Sequence, residues 1–249
     1  MYRMRLFRIR LTIFLQGGCQ KYQRFQDDNH LVYLKTTNIP QALRKHGLNF
    51  LKIAREANYT LLENNLPGIC ADRIDYSLRM ALHFREFERR EIVYLLKHLK
   101  TQNEKWYFDN LIAGRKFAKL FRKMNDDYFS NEGVAIMFYS LKEFFRYAVR
   151  QKYVTKKDFI FSDDEEVLRK IKRYLKKDKL LTKLYNNLRH SEIYQVSVKK
   201  ISDNVIYCKS RIVDPPILYA GTISRLSLID KSYSKILKED LKPNKFYVK

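Results

Sequence analysis

Across residues 40–189 apolar side chains recur at helical spacing, and little in the chain breaks helices: 249 residues hold seven glycines and five prolines. So few turn-formers favour long helices over a turn-rich all-β fold. The most apolar stretch, residues 133–152, carries Ile136, Phe138, Tyr139, Leu141, Phe144, Phe145 and Ala148 and is expected at the centre of the core. The length allows one sizeable core, and the 45% apolar content is that of a folded chain.

Other helices are read at 40–46, 48–64, 85–100, 109–124, 162–177 and 178–189. Asp109 is the expected cap of its helix, and Ser162-Asp163-Asp164-Glu165 reads as a capping box. The period then changes. Residues 193–199 and 205–213 alternate around Ser202-Asp203-Asn204, which predicts a β-hairpin, with edge strands at 217–219 and 223–228. Trp106-Tyr107-Phe108 is a short strand or a packed loop. The expected organisation is a basic N-terminal segment (1–18), a helical domain (19–190), a small β-rich subdomain (191–230) and a loosely held basic tail (231–249).

The formal charge is +23, from 50 Lys and Arg against 27 Asp and Glu. Nucleic acid, an anionic surface or a phosphorylated ligand would suit such a balance. The basic residues are spread along the chain, however, and no nucleic-acid-binding signature stands out. Cys19, Cys70 and Cys208 are far apart and form no CxxC, which argues against a disulfide framework or zinc knuckle and fits a reducing, cytoplasmic setting. No apolar run reaches the ~18 residues of a transmembrane helix, and no membrane partner is expected. The phosphate-cradling and nucleophile-elbow patterns GxxxxGK[ST], GxGxxG and GxSxG are absent.

The chemistry-bearing stretch follows the break at Pro67-Gly68, from which a helix can start. At ~100° per residue, Tyr76, Arg79 and His83 fall within roughly 40° of Asp72. Ala71, Ile74, Leu78, Ala81 and Leu82 gather on another side. Such a stripe is either a solvated polar face or a functional one. Two details count toward function: a phenol and an imidazole stand among the charges, and Asp72 sits in the first turn, where a helix favours an anion.

Cys70-Ala71-Asp72-Arg73-Ile74-Asp75-Tyr76-Ser77-Leu78-Arg79 resembles the late motif of the HD-domain phosphohydrolase superfamily. That superfamily holds divalent metal with His and Asp ligands and hydrolyses phosphate esters, nucleotides included. The resemblance implies that Asp72 is the last metal ligand and that Tyr76 lines the substrate pocket, with Arg79 beside it in substrate binding. It extends from about Gly17 to about Tyr233, through Phe25-Gln26-Asp27-Asp28-Asn29-His30 and the segments 162–168 and 211–227. The fold it implies is an HD-domain-like helical bundle, mainly α, with a small C-terminal β-hairpin or sheet. It further implies Mn, Fe, Ni, Co or Mg as cofactor, a phosphorylated small molecule or nucleotide as substrate, and a homo-oligomer.

Two departures stand out. The superfamily's early ligands, a lone His and an adjacent His-Asp pair, belong upstream of Phe25, yet this chain has no His-Asp dipeptide and its first histidine is His30. Met80 stands where the deoxynucleotide-hydrolysing branch keeps an Asp. Phosphate-ester hydrolysis needs a metal to polarise the phosphoryl oxygen and acidify a water, and Asp72 alone does not hold one tightly. Two readings result. In one, the chain is the C-terminal portion of a truncated metal-dependent phosphohydrolase, inactive alone, and either completed by a separately encoded N-terminal half or the product of a decaying gene. In the other, it is a non-catalytic basic helical module that binds nucleic acid or a protein partner.

Overall fold

A computed structural model describes residues 25–249, so the expected basic segment 1–18 and Cys19 lie outside the described residues. In chain order the elements are helices α1 (Phe25–Lys35), α2 (Ile39–Lys45), α3 (Phe50–Ala54), α4 (Ala71–His83) and α5 (Arg89–Lys97), then strands β1 (Leu99–Gln102) and β2 (Lys105–Phe108). Helix α6 (Leu111–Met124) runs on into a π-helical turn, Asn125–Phe129, and is followed by α7 (Glu132–Arg150), α8 (Lys156–Phe161), α9 (Asp164–Lys172) and α10 (Lys179–Asn187). Strands β3 (Val196–Ser197), β4 (Val205–Cys208), β5 (Pro216–Tyr219) and β6 (Thr222–Arg225), helices α11 (Leu226–Ile229) and α12 (Lys231–Asp240), and strand β7 (Asn244–Val248) complete the chain. The fold is mainly helical with small β elements, as the sequence predicts. Among the described residues no helix is long and apolar enough to cross a membrane.

Chain contacts define two compact units, each built from separated stretches. The first takes in residues 49–130 and 210–243. Its core joins Ile74, Leu78 and Ala81 of α4 to Leu95 of α5, and Phe117, Ala118 and Phe121 of α6 to Tyr233 and Leu237 of α12. These positions recur every three or four residues because one stripe of each helix is apolar. A four-stranded sheet, in the order β1-β2-β5-β6, supports α6. Its middle pair is parallel, with Phe108 opposite Ile217. Helix and strand come so close at Gly114 that a Cβ there would stand 2.5 Å from Ile217 Cδ1.

The second unit comprises, among the described residues, 25–48, 131–209 and 244–249. Its spine is α7. Leu141, Phe144, Phe145 and Ala148 pack with Phe159 of α8, Val167 and Ile171 of α9 and Leu181 of α10. Ala135 and Phe138, nearer the start of α7, pack with Ile206, Cys208, Phe246 and Val248 of a three-stranded sheet. Each fully buried Phe contributes roughly 1.5–3 kcal/mol, so the run from Phe138 to Phe145 is the energetic centre of this unit.

Four local expectations change. Residues 48–64 form only α3 and a short 3₁₀ turn, Glu56–Asn58. Leu51, Ile53 and Leu62 are exposed, so burial of an apolar stripe does not hold a longer helix together. The cap of α6 is Asn110, whose side chain accepts from the Ala113 amide, while Asp109 instead takes His98 Nδ1 at 2.7 Å. Ser162 ends α8, and the cap of α9 is Asp163, which accepts from the Glu166 amide at 2.7 Å. The final segment 231–249 is not a loose tail. It forms α12 and β7, and β7 lies between β3 and β4 and pairs with both, so those two strands do not make a hairpin with each other.

Candidate functional site

Helix α4 starts as the sequence predicts, just beyond Pro67-Gly68. Cys70 precedes it in extended backbone and gives no side-chain cap. Backbone carbonyls of the preceding loop take over that role: the Ala71 amide donates to Leu61 O (2.8 Å) and the Asp72 amide to Leu62 O (3.3 Å). Two amides that a helix start leaves orphaned are thus already satisfied. The loop is held in turn by Arg73, which donates to Glu63 Oε1 (2.9 Å), Gly68 O (3.1 Å) and Cys70 Sγ (3.2 Å).

Asp72 and Tyr76 lie one turn apart, but their surroundings differ. Asp72 reaches solvent. Partial burial raises its pKa and Glu63 adds to this, while Arg73 and Arg211 oppose it. Tyr76 packs between two aromatic rings, at 6.1 Å from Phe121 and 5.9 Å edge-on from Phe129. Its hydroxyl is buried and, among the described residues, finds no acceptor, the Arg211 side chain being the polar group that approaches it. Such an orphan costs about 1–3 kcal/mol of desolvation when nothing answers it. Burial raises the phenol's pKa, with Arg211 and Arg73 pulling against it, so the group remains a neutral donor.

Arg211 is the neighbour that sequence reading did not single out. Backbone bonds carry it to α4. Its amide donates to Asn125 Oδ1 (2.7 Å), in the π-helical turn that also holds Phe129. Three residues on, the Asp214 amide donates to Pro67 O (2.7 Å). Asp214 is anchored by the Ser227 amide (2.9 Å) and hydroxyl (2.6 Å), and the Tyr233 hydroxyl donates to Val213 O. The Arg211 guanidinium then sits over the Phe129 ring, 5.7 Å from its centre. The available signal was the segment Arg211-Ile212-Val213-Asp214-Pro215, which the sequence reading matched to the superfamily without giving any residue in it a role.

Arg79 and His83 separate from this cluster. Arg79 pairs with Asp75 at 2.7 Å, both side chains largely exposed. The two also line a groove of about 350 Å³ whose walls include Ile74, Leu78, Leu82, Ile92, Leu96 and Trp106. That groove is mainly apolar and includes neither Asp72 nor Tyr76. His83, at the C-terminal end of α4, lies against Phe84; eleven residues on from Asp72 is about 16 Å along a helix.

Among the described residues no three His, Cys, Asp or Glu side chains gather as a metal-binding group. The acidic neighbours of Asp72 are Glu63 and Asp75, and each is engaged by an arginine. Asp72 and its described neighbours therefore do not make a metal site by themselves.

No protein-family model matches the chain. Over 187 residues it is 28% identical to the uncharacterized protein YdhJ of Bacillus subtilis, an alignment covering 73% of this chain and 55% of that protein. A 69-residue stretch is 37% identical to the metal-dependent phosphohydrolase cns2 of Cordyceps militaris, covering 28% of this chain and 20% of that one. The chain thus spans about half the length of YdhJ and a fifth of cns2. Its fold is similar to that of a phosphohydrolase from Bacteroides thetaiotaomicron, with a TM-score of 0.51 at 16% identity over 72% of this chain and 60% of the other. At that identity the likeness is one of fold.

Proposed function

We infer that the chain is an HD-type phosphohydrolase by descent, and that the Asp72–Tyr76 face of α4 receives a phosphate ester or nucleotide. One observation carries the reading: a carboxylate and a buried phenol that finds no acceptor among the described residues stand one helical turn apart on the helix whose sequence resembles the superfamily's late motif. The fold shared with a phosphohydrolase and the local similarity to a metal-dependent phosphohydrolase support it. Within this reading Asp72 offers one carboxylate toward a divalent ion, and Tyr76 donates a hydrogen bond to the substrate.

Within this reading the remaining ligands would be supplied by a partner chain. Residues 1–24 contain no His, Asp or Glu, and the described residues gather no ligand set. The chain alone is accordingly inactive. The test is phosphate release from p-nitrophenyl phosphate and from nucleoside triphosphates with Mn²⁺, Mg²⁺, Ni²⁺ and Co²⁺. The expected rate equals that of Asp72→Ala and of the protein-free control. Metal-dependent release that Asp72→Ala abolishes would contradict the view that the ligand set is incomplete.

A further inference from the structure

We propose that the Tyr76 hydroxyl and the Arg211 guanidinium form an oxyanion subsite that binds the phosphoryl group of a phosphate ester without any metal. The proposal rests on the reading above only in taking Tyr76 to face the phosphate ester. It adds Arg211, and it separates anion binding from metal chemistry.

The two arginines near Tyr76 differ in what they are free to do. Arg73 is committed, with its guanidinium bonded to Glu63, Gly68 O and Cys70 Sγ. Arg211 is less committed: among the described residues no ion pair includes it, its bond to Asn125 uses the backbone amide, and its guanidinium is turned to the Tyr76 phenol. Phe129 joins the two proposed groups, edge-on to the Tyr76 ring at 5.9 Å and under the Arg211 guanidinium at 5.7 Å. A guanidinium stacked on a ring keeps its edge N–H groups open, and their fork matches two phosphate oxygens. The phenol adds a third donor. Its O–H lies beside the Arg211 cation and has no acceptor among the described residues, which is the arrangement an oxyanion would complete.

The charged groups around the subsite set its charge balance. Glu63 faces Arg73 and Asp75 faces Arg79, which leaves the Asp72 carboxylate as the local charge opposing an anion. Anion binding is therefore expected to strengthen when Asp72 is neutralised, whereas any metal-dependent chemistry would be lost. The two properties move in opposite directions in one variant.

The experiment is calorimetric titration of the full chain with inorganic pyrophosphate and with p-nitrophenyl phosphate in EDTA, with each variant's fold checked by circular dichroism. Arg211→Gln and Tyr76→Phe are each expected to weaken binding by about tenfold or more, the loss of a charge-assisted or buried hydrogen bond. Arg211→Lys, which keeps the charge but not the fork, should fall between Arg211→Gln and the wild type. Asp72→Asn should bind more tightly. Arg90→Gln, removing an exposed arginine paired with Glu88, should bind as wild type does. The proposal is overturned if the wild type binds neither probe, if Arg211→Gln and Tyr76→Phe bind as wild type, or if Arg90→Gln loses as much affinity as Arg211→Gln, the mark of diffuse attraction to a chain of charge +23. EDTA excludes metal-dependent turnover, so a negative hydrolysis result leaves this outcome untouched.

Discussion

Single side chains set the clearest pH signatures. Asp72 has a raised pKa, chiefly from burial and then from Glu63, so its ionised form is less welcome in the folded chain than in the unfolded one. That penalty is absent below the unfolded value of 3.8 and grows as pH rises through the folded pKa. Asp72→Asn is expected to melt higher than wild type at pH 7 and level with it near pH 3, as read by thermal denaturation across pH. Asp158 behaves oppositely. Lys170 at 2.6 Å, with the amide and hydroxyl of Thr155, holds its carboxyl down at about 2. Its stabilisation is present above 3.8 and is lost as pH falls toward about 2. Asp158→Asn should cost about 1 kcal/mol at pH 7 through the weakened capping box of α8, with the difference closing near pH 2 in denaturant titrations. At this scale the sequence singles out Asp72 and Tyr76 because they share a helix with a legible stripe. It hid Arg211, because the bonds that carry Arg211 to α4 join residues 86 and 147 positions apart, Asn125 to Arg211 and Pro67 to Asp214. Arg79 was legible as part of the stripe, yet periodicity says nothing of the Asp75 carboxylate that engages it.

Elements were legible where periodicity and burial agree. Helices α4, α6 and α7 bury the apolar stripes that the sequence displays. The stretch 48–64 has apolar residues at helical spacing, but several of them remain exposed. Strand β7 was obscured by composition: its lysines read as tail, although Phe246 and Val248 alternate inward and are buried. The fit of α6 onto β5 gives the test at this scale. A methyl group at Gly114 would meet Ile217 Cδ1 at 2.5 Å and Cγ1 at 2.8 Å. Gly114→Ala is expected to destabilise the chain by about 1–3 kcal/mol, the range for overpacking, despite the better helix propensity of Ala. Denaturant unfolding with an unchanged slope and an earlier midpoint would be the observed form.

At the scale of the whole molecule, mainly helical character follows from the scarcity of helix breakers, while the grouping of segments into units does not. Both units draw on stretches far apart in sequence, and the second is completed by the last residues of the chain. The candidate site lies within the first unit, where α4, the turn after α6 and the segment leading into β5 converge on Tyr76. In the proposed reading this convergence gives the α4 face its donors for a phosphate ester. Among the described residues the same face gathers no ligand set for a divalent ion, an asymmetry between anion and metal binding. Manganese titration followed by electron paramagnetic resonance tests it directly, because free Mn²⁺ gives a signal that binding removes. With equimolar Mn²⁺, the wild-type chain is expected to leave that signal undiminished and to match Asp72→Asn. Stoichiometric loss of the free-ion signal in wild type, abolished in Asp72→Asn, would contradict it.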